Sequence, residues 1–308
     1  MSRFLVTGGA GFIGSWLADR LLTAGHGVRV LDDLSTGSMA NLASEVNFVR
    51  GDVRDPAVLE SALSGIDGVF WFAARASVPY CIAHPEDALA VNLRSVTSLL
   101  TLLRASPRFA GVPVVFASSS AIYGNAAPPL VSEDHVPAPV SAYGQHKAAA
   151  ERQLAEAAAR GDARTLSLRF FNAYGPRQSD GAAYGGVLAL LRARLRDRRP
   201  FVIHGDGGQA RDFIHVSDVA QVCHRAMEAL LSGDPSPPLP ALNVCTGRAV
   251  TVLEAIAQAR REGPLTITHG ASRSDDIRHS SGANAALRDW LGTTEFVPFE
   301  EGFARYLR

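Results

Sequence analysis

The sequence of 308 residues contains a single lysine, Lys147, although it carries 30 lysine and arginine residues in all. It also has no excess of either charge, because 30 acidic residues balance the basic ones. Without a basic excess, electrostatic binding to nucleic acid or to an anionic membrane surface is not expected. Since arginine is used at every other such position, the one lysine raises the question of what an ammonium group does there.

Cysteine and long apolar runs are scarce as well. Cys81, Cys223 and Cys245 are odd in number and have no CxxC spacing, so neither a disulfide framework nor a zinc knuckle is predicted, and a reducing compartment fits. No run approaches about 18 apolar residues, which excludes a transmembrane helix. The first seven residues lead directly into a strand pattern and leave no room for a signal peptide. The protein is therefore expected to be cytoplasmic.

Short apolar runs alternate with helical patterns through the first 170 residues. The predicted strands are residues 4–7, 28–31, 47–50, 68–72, 112–117 and 165–169, and the predicted helices are residues 13–24, 56–63, 85–104 and 144–160. The strands are continuous Val, Phe and Leu runs, which indicates that both faces of a parallel sheet are covered. This alternation predicts an α/β fold with a doubly wound parallel sheet of the Rossmann type.

The composition shifts after Asn172 towards glycine- and serine-containing loops, and a proline-rich connector follows at residues 235–240. Residues 212–216 and 242–244 read as further strands that are candidates to return to the main sheet. We therefore expect a dinucleotide-binding domain of residues 1–172 and 212–247, with residues 173–211 and 248–308 forming a smaller interleaved substrate-binding lobe.

A glycine-rich turn follows the first strand, with Gly8, Gly11 and Gly14 spaced three residues apart. Glycines alone are common in loops, but a strand precedes this turn and a helix follows it, which favours a dinucleotide pyrophosphate at the helix N-terminus. Asp32 ends the second strand, where a carboxylate can accept from the adenosine ribose hydroxyls. Asp32 and Asp33 would repel a 2′-phosphate, so NAD is expected rather than NADP.

The other candidate cofactor contacts lie at or near the same strand ends. Asp52 either receives the adenine amino group or caps the next helix. The remaining candidates are Phe12, Ile13, Ser35, Thr36, Gly37, Val53, Phe72, Ala73, Ala74, Asn92, Ser118 and Phe171.

Tyr143 and Lys147 lie four residues apart and therefore share one face of a predicted helix. A tyrosine has a pKa near 10, and an adjacent ammonium group together with a positive nicotinamide would favour the phenolate and lower that pKa. Ser118 and Ser119 follow a strand end, and hydroxyl groups there can relay a proton between a sugar oxygen and Tyr143. This arrangement predicts a general base for an NAD-dependent reaction. No HxxxH spacing or carboxylate cluster accompanies the loop histidines, so no metal site is predicted.

Seven segments occur in one order along the chain: TGGAGFIG at 7–14, FAA at 72–74, SSSAIYG at 118–124, YGQHK at 143–147, RFFNAYGP at 169–176, GDG at 205–207 and RDFIHV at 211–216. Together they resemble the extended short-chain dehydrogenase/reductase superfamily, and in particular its UDP-glucose and UDP-N-acetylglucosamine 4-epimerases. The resemblance implies a tightly held NAD, a UDP-sugar in the smaller lobe and a homodimer formed by the helices around residues 88–104 and 148–159.

The resemblance also implies roles for individual residues. Ser119, Tyr143 and Lys147 match the family's catalytic groups, while Asn172 and Arg211 match contacts to the pyrophosphate. The segment RSDDIRHS at 273–280 resembles a family segment that binds the nucleotide, in which Arg273 would meet phosphate, Asp276 the ribose and Arg278 phosphate. Asp275 stands where the family has glycine. Val187 is a further candidate for substrate contact.

Two positions bear on which reaction and which sugar the resemblance implies. The 4,6-dehydratase branch carries an Asp-Glu pair where this chain has Ser120 and Ala121, which favours epimerisation. Ser280 stands where epimerases restricted to plain hexoses carry a bulky aromatic residue, so N-acetylhexosamines are candidates beside glucose and galactose. A uronic acid stays an alternative, because Arg75, Ser77 and Ser120 could approach its carboxylate.

A protein that binds NAD without turnover is the alternative from another functional class. Relatives of that kind tend to lose the Tyr/Lys pair, and Tyr143 and Lys147 are both present here. The sequence therefore favours an enzyme.

Overall fold

The computed structural model describes residues 1–125, 130–180, 186–233, 240–272, 278–292 and 295–308. Its main sheet contains seven strands, all parallel, in the order β10-β6-β5-β4-β1-β2-β3. These strands are β1 (Arg3–Thr7), β2 (Gly27–Asp32), β3 (Asn47–Arg50), β4 (Gly68–Trp71), β5 (Val114–Ser119), β6 (Thr165–Phe170) and β10 (Ala241–Val244). The predicted doubly wound sheet is confirmed.

The strand order reverses between β1 and β4, so the loops that leave these two neighbours run to opposite sides of the sheet. A crevice opens at such a point beside the carboxyl ends of the strands, which is where open α/β sheets bind their ligands. The glycine-rich turn leaves β1 there, and Phe72 and Ala73 leave β4 beside it.

Helices cover both faces of the sheet. One face packs on α1 (Phe12–Thr23), α8 (Val216–Ser232) and α10 (Ala285–Leu291), and the other on α2 (Pro56–Leu63), α5 (Ser95–Ala105) and α6 (Ala142–Ala159). Between β4 and α5 lie the short helices α3 (Val78–Ala83) and α4 (Pro85–Leu89), followed by a π-helical turn, Ala90–Arg94. The single helix predicted for residues 85–104 is therefore divided. No helix in the described residues is long and apolar enough to span a membrane.

The smaller lobe has its own core. Its strands are β7 (Asn172–Tyr174), β8 (Phe201–His204), β9 (Ala210–His215), β11 (Ala249–Thr251), β12 (Ile267–Gly270) and β13 (His279–Ser280). Helices α7 (Gly186–Arg196), α9 (Val252–Glu262) and α11 (Phe299–Leu307) pack against them around Tyr174, Phe213 and Phe303.

The expectation that residues 212–216 return to the main sheet is wrong. Residues 212–215 belong to β9, which pairs with β7, β11 and β13 in a separate sheet, and Val216 begins α8, whereas residues 242–244 do return, as β10 beside β6. An apolar run identifies a buried strand but does not say which sheet it joins. The boundaries given above for the two domains stay a prediction.

Candidate active site

The glycine-rich turn after β1 is closely packed. Gly8 has a φ of 68°, and a Cβ there would lie 2.8 Å from the backbone nitrogen of Ala73. A Cβ at Gly14 would lie 2.5 Å from the carbonyl oxygen of Gly8. Helix α1 begins directly after this turn with neither a side-chain cap nor an acidic residue in its first turn. Its N-terminus therefore presents a partial positive charge that no side-chain carboxylate of its first turn offsets.

Asp32, at the end of β2, holds the turn in place. One carboxylate oxygen accepts a hydrogen bond from Ala10 N at 2.9 Å and the other accepts one from Leu34 N at 2.8 Å. Burial raises the pKa of this carboxyl group, and the two backbone donors oppose that shift. Each oxygen keeps a lone pair that can accept a further hydrogen bond from a ligand hydroxyl.

Two arginines that the sequence analysis did not place at the cofactor connect the carboxylates beside Asp32. Arg75 pairs with Asp33 at 3.1 Å and with Asp87 at 3.0 Å, and Arg54 pairs with Asp87 at 2.8 Å and also binds Asp52. The hydrogen bonds from Arg54 lower the pKa of Asp52, and those from Arg75 lower that of Asp87 against the opposing effect of burial. Burial also acts to raise the pKa of Asp33, but hydrogen bonds from Ser35, and after them the contact with Arg75, lower it. We call Asp33, Asp52, Asp87, Arg54 and Arg75 the carboxylate–arginine chain.

The structure excludes one of the two roles considered for Asp52, that of a helix cap. Helix α2 is capped by Asp55, whose carboxylate accepts from Ala57 N and Val58 N, so Asp52 is not its cap. Asp52 instead accepts from Arg54 and still faces the cleft.

A cleft of about 480 Å³ runs from this carboxylate end to the start of α6. Predicted cofactor residues that line it are Gly8, Gly11, Phe12, Ile13, Gly14, Asp32, Asp33, Ser35, Thr36, Asp52, Val53, Phe72, Ala73, Ala74, Ser118, Tyr143 and Lys147. Three other predicted residues are not among those that line it. Gly37 packs on Ala10, Asn92 is buried with its amide bonded to both backbone groups of Arg75, and Phe171 packs in a core with Cys245.

Tyr143 and Lys147 lie in the first turns of α6, which begins at a cap where Ser141 accepts from Gly144 N at 3.1 Å. The Lys147 ammonium donates to the carbonyl oxygen of Ala117 at 2.6 Å, and it lies 5.8 Å from the centre of the Tyr143 ring. Ala117 is in β5, just before Ser118 and Ser119. The hydrogen bond therefore ties the helix to the strand end that carries the serines.

In the protein alone, the pKa values of Tyr143 and Lys147 are both shifted in the direction that favours the neutral form of the side chain. Burial raises the pKa of Tyr143 to about 12, while a hydrogen bond with Ser119 acts to lower it. Burial lowers the pKa of Lys147 to about 7, and the negative charge of Glu151 acts to raise it. The expected lowering of the Tyr143 pKa is not found without a cofactor, because desolvation of the phenol outweighs the effect of its neighbours.

A buried polar network beneath these residues was missed by the sequence analysis. Arg169 on β6 pairs with Glu151 on α6 at 2.9 Å and donates to the hydroxyl of Tyr123 at 2.8 Å. That hydroxyl donates to Asn243 on β10 at 2.7 Å. Glu151 stands four residues after Lys147, so the same helical spacing that relates Tyr143 to Lys147 could have identified it.

A second cavity of about 700 Å³ lies in the smaller lobe, and it is lined by Asn172, Val187 and Arg211, three of the predicted substrate residues. The Asn172 amide donates to the carbonyl oxygen of Asp212 at 3.0 Å. Gln178 lines both this cavity and the cleft, so the two spaces are neighbours.

Other predicted substrate residues are placed differently. Ser280 is half-buried opposite Arg211 in the register of β13 and β9 but is not among the residues that line the cavity. The two terminal nitrogens of the Arg278 guanidinium donate to the two carboxylate oxygens of Asp206, at 2.6 and 2.8 Å. Ser77 caps α3 by accepting from Tyr80 N. Ser120 begins a short 3₁₀ helix, while Arg273 and Asp276 lie outside the described residues.

Comparisons with known proteins agree with this arrangement. The family model described as "NAD dependent epimerase/dehydratase family" matches residues 4–245. The UDP-glucose 4-epimerase of Mycolicibacterium smegmatis is 36% identical over 98% of this chain and 96% of its own length. The structure of a Thermotoga maritima UDP-glucose 4-epimerase with UDP-glucose has a TM-score of 0.90 and 31% identity, covering 99% of this chain and 97% of its own.

A third relative is named for a different sugar. The structure of a UDP-N-acetylglucosamine 4-epimerase from Methanobrevibacter ruminantium in complex with UDP-N-acetylmuramic acid has a TM-score of 0.89 and 30% identity, covering 99% of this chain and 97% of its own. The family match spans most of the sequence, and the structural likeness extends over both lobes. This chain belongs to the NAD-dependent epimerase/dehydratase family.

Proposed function

We propose that this protein is an NAD-dependent UDP-sugar 4-epimerase that interconverts UDP-glucose and UDP-galactose, their N-acetylated forms, or both. The observation that carries the proposal is the position of the Tyr143–Lys147 pair. It stands at the end of a dinucleotide-shaped cleft, and the cavity lined by Asn172 and Arg211 is adjacent. The names of the relatives supply the class of sugar nucleotide.

The residues of the cleft fit NAD. The uncapped N-terminus of α1 faces the position of a pyrophosphate, and Asp32 keeps acceptor capacity for ribose hydroxyls. At the other end, the buried hydroxyl of Ser118 has no hydrogen-bond partner within the described chain and is available to a ligand. When bound, NAD accepts a hydride from carbon 4 of the sugar and returns it.

Within this proposal, Tyr143 takes the proton of the sugar 4-hydroxyl and Ser119, hydrogen-bonded to Tyr143, orients that hydroxyl group. Burial keeps the phenol of Tyr143 neutral in the protein alone, so the base forms only when further positive charge enters beside it. A protonated Lys147 would supply one such charge, and a bound oxidised nicotinamide would supply a second. Because Tyr143 loses its proton only when the cofactor is bound, it does not act as a base before the cofactor is in place.

The substrate nucleotide is assigned to the smaller lobe. Arg211 is the phosphate-binding candidate in its cavity, with Arg273, Asp276 and Arg278 as further candidates from the sequence. Anchoring at the nucleotide leaves the hexose able to turn, so that either face of a 4-keto sugar meets the same hydride donor. Ser280 has a small side chain where epimerases restricted to plain hexoses carry a bulky aromatic residue, and this favours a substrate with an N-acetyl group at carbon 2.

A uronic acid is less well supported as substrate. The Arg75 guanidinium is held by Asp33 and Asp87 at the adenosine end, and Ser77 is occupied as a helix cap. Two of the three groups considered for its carboxylate are thus engaged with the protein.

We also propose a homodimer formed through α5 and α6. Their outer surfaces adjoin, and the hydroxyl of Thr97 donates to the side chain of Gln153 at 2.9 Å across them. A four-helix interface requires two such neighbouring helices from each subunit. Light scattering coupled to gel filtration measures the mass, and a monomeric mass would contradict this proposal.

The test of the function is incubation with a panel of UDP-hexoses, UDP-N-acetylhexosamines and UDP-uronic acids, with the products identified by NMR. We expect inversion at carbon 4 with no added oxidant or reductant. Tyr143→Phe should retain bound NAD and lose turnover by roughly a thousandfold or more, as expected for loss of a general base. Tyr306→Phe, on α11 of the smaller lobe, is the matched control and should remain active.

A nucleotide-sugar dehydratase is the second candidate, because one structural relative at 29% identity is named as an NDP-hexosamine 5,6-dehydratase. Epimerisation conserves the mass of the substrate, whereas dehydration removes one water. A product lighter by one water would contradict the epimerase proposal and support the dehydratase.

A further inference from the structure

A separate cluster of polar side chains lies at the opposite end of the main sheet from the cleft. His26 immediately precedes β2, while His224 and Glu228 are one turn apart on α8. Strand β2 has 6 residues, so at roughly 3.3 Å per residue Asp32 and the cleft are about 20 Å away. The chemistry proposed for the cleft makes no use of this cluster.

The three side chains converge on one point. Nε2 of His224 lies 3.3 Å from Nε2 of His26 and 3.4 Å from Oε1 of Glu228, and all three atoms lie within 4.8 Å of one another. In a tetrahedral zinc site with bonds of about 2.0–2.1 Å, neighbouring ligand atoms are roughly 3.4 Å apart. Two of the three separations therefore already match those of a zinc site.

Packing fixes the two rings. The ring of His26 lies edge-on to Phe4, with ring centres 4.9 Å apart, and the two histidine rings are nearly perpendicular with centres 5.3 Å apart. His224 is only 5% exposed, and its Nδ1 has no hydrogen-bond partner in the described part of the chain. Glu228 is exposed and opens the cluster to solvent.

We propose that His26, His224 and Glu228 form a zinc-binding site, with water as the fourth ligand. Two imidazoles and one carboxylate are a donor set typical of Zn²⁺. The bound ion would join α8 to the start of β2 and so act as a cross-link on the native fold. The sequence gives no sign of such a site, because His26 and His224 are 198 positions apart.

Two groups next to the cluster, the backbone N–H of Ser2 and the side chain of Arg20, oppose zinc binding. Ser2 N faces Nδ1 of His26 at 3.4 Å, and zinc at Nε2 requires the ring proton to move to Nδ1, so this long contact must open. Arg20 on α1 is close enough to His224 to interact with it electrostatically, and its positive charge repels a cation. The carboxylate of Glu228 offsets that repulsion, which makes it the ligand whose charge matters most.

The test uses the full chain with no histidine tag, stripped of metal by a chelator. Calorimetric titration with ZnCl₂ should give one site per chain. Titration with Co²⁺ should give the visible absorption of a tetrahedral complex, which zinc then displaces. Because zinc binds the native state, Tm should rise with the logarithm of the free zinc concentration above Kd.

Variants distinguish zinc binding at this cluster from adventitious zinc binding elsewhere on the protein. Glu228→Gln keeps an exposed side chain of the same size, so it should fold normally and bind zinc at least roughly tenfold more weakly. His26→Gln should lose the Co²⁺ absorption. His269→Gln removes an exposed histidine on β12 and should behave as the unchanged protein. Equal zinc affinity in all four proteins, or no binding in the unchanged protein, would overturn the proposal.

Epimerase activity gives an independent readout. Since the cluster lies far from the cleft, Glu228→Gln should leave turnover unchanged in the absence of zinc. A failure of the zinc site therefore does not bear on the proposed reaction, and a failure of the reaction does not bear on the zinc site.

Discussion

Replacing Lys147 with methionine removes the one side-chain ammonium of the protein and keeps most of its apolar stem. Burial lowers the pKa of this lysine from 10.5 to about 7, so between these values the unfolded chain holds the proton more tightly than the folded protein. The contribution of Lys147 to the stability of the unchanged protein therefore rises with pH across this window. The slope is about 1.4 kcal/mol per pH unit, which gives about 2 kcal/mol between roughly pH 7.5 and 9.

The Lys147→Met variant lacks this dependence. Its stability relative to the unchanged protein should fall by about 2 kcal/mol over the same pH range. Tyrosines and buried cysteines also titrate in alkali, but they are common to both proteins. Urea unfolding of the NAD-free proteins at the two pH values measures the difference.

A direct measurement is available because no other lysine is present. Lysine labelled with ¹³C at Cε gives one resonance, which should titrate near pH 7 in the NAD-free protein. A resonance that titrates near the ordinary lysine value, with a pH-independent stability difference between the two proteins, would refute the reasoning. It would show that the ammonium remains solvated and that the buried site does not favour the neutral amine.

Three further predictions concern groups around the cleft and the lobe. Glu151→Gln leaves the Arg169 charge buried without its partner and should destabilise the protein by about 3–5 kcal/mol. It should also lower the pKa of the single lysine further, as read by the same resonance, whereas Glu156→Gln on the exposed side of α6 should change neither. Burial raises the pKa of Asp218 to about 6, so the charged form costs stability above that pH. Asp218→Asn should gain stability relative to the unchanged protein as pH rises from about 4 to 7, by on the order of 2–3 kcal/mol, and an unchanging difference in urea unfolding would contradict this. Arg75→Met breaks two ion pairs and should speed NAD release roughly tenfold in stopped-flow fluorescence, and an unaltered rate would show that the arginine does not hold the adenosine end.

Most of the fold could be predicted from the sequence because its signals are local. Continuous apolar runs such as those of β1 and β5 indicate strands covered on both faces, and the glycine-rich turn marks where the first strand ends. Tyr143 and Lys147 are four residues apart, and helix geometry alone predicts that their side chains share one face. The structure brings these features to one edge of the sheet because parallel strands end there together.

What could not be predicted depends on contacts between distant residues. Asn92 has the polarity of a cofactor ligand, yet both ends of its amide bind the backbone of Arg75, which only the packed structure shows. Asp52 resembles a helix cap in the sequence, and only the structure shows that Asp55 caps α2 while Asp52 accepts from Arg54. The direction of the Tyr143 pKa shift depends on the depth of burial, and a sequence pattern does not contain that quantity.

The carboxylate–arginine chain has a consequence for how the cofactor is used. It links the ends of β2, β3 and β4 with α4 around the adenosine end of the cleft, so we expect a bound dinucleotide to exchange slowly there. Such slow exchange would disable a dehydrogenase, which must trade its spent coenzyme after each cycle. A reaction that begins and ends with the coenzyme oxidised has no such need, and a permanently seated prosthetic group serves it well.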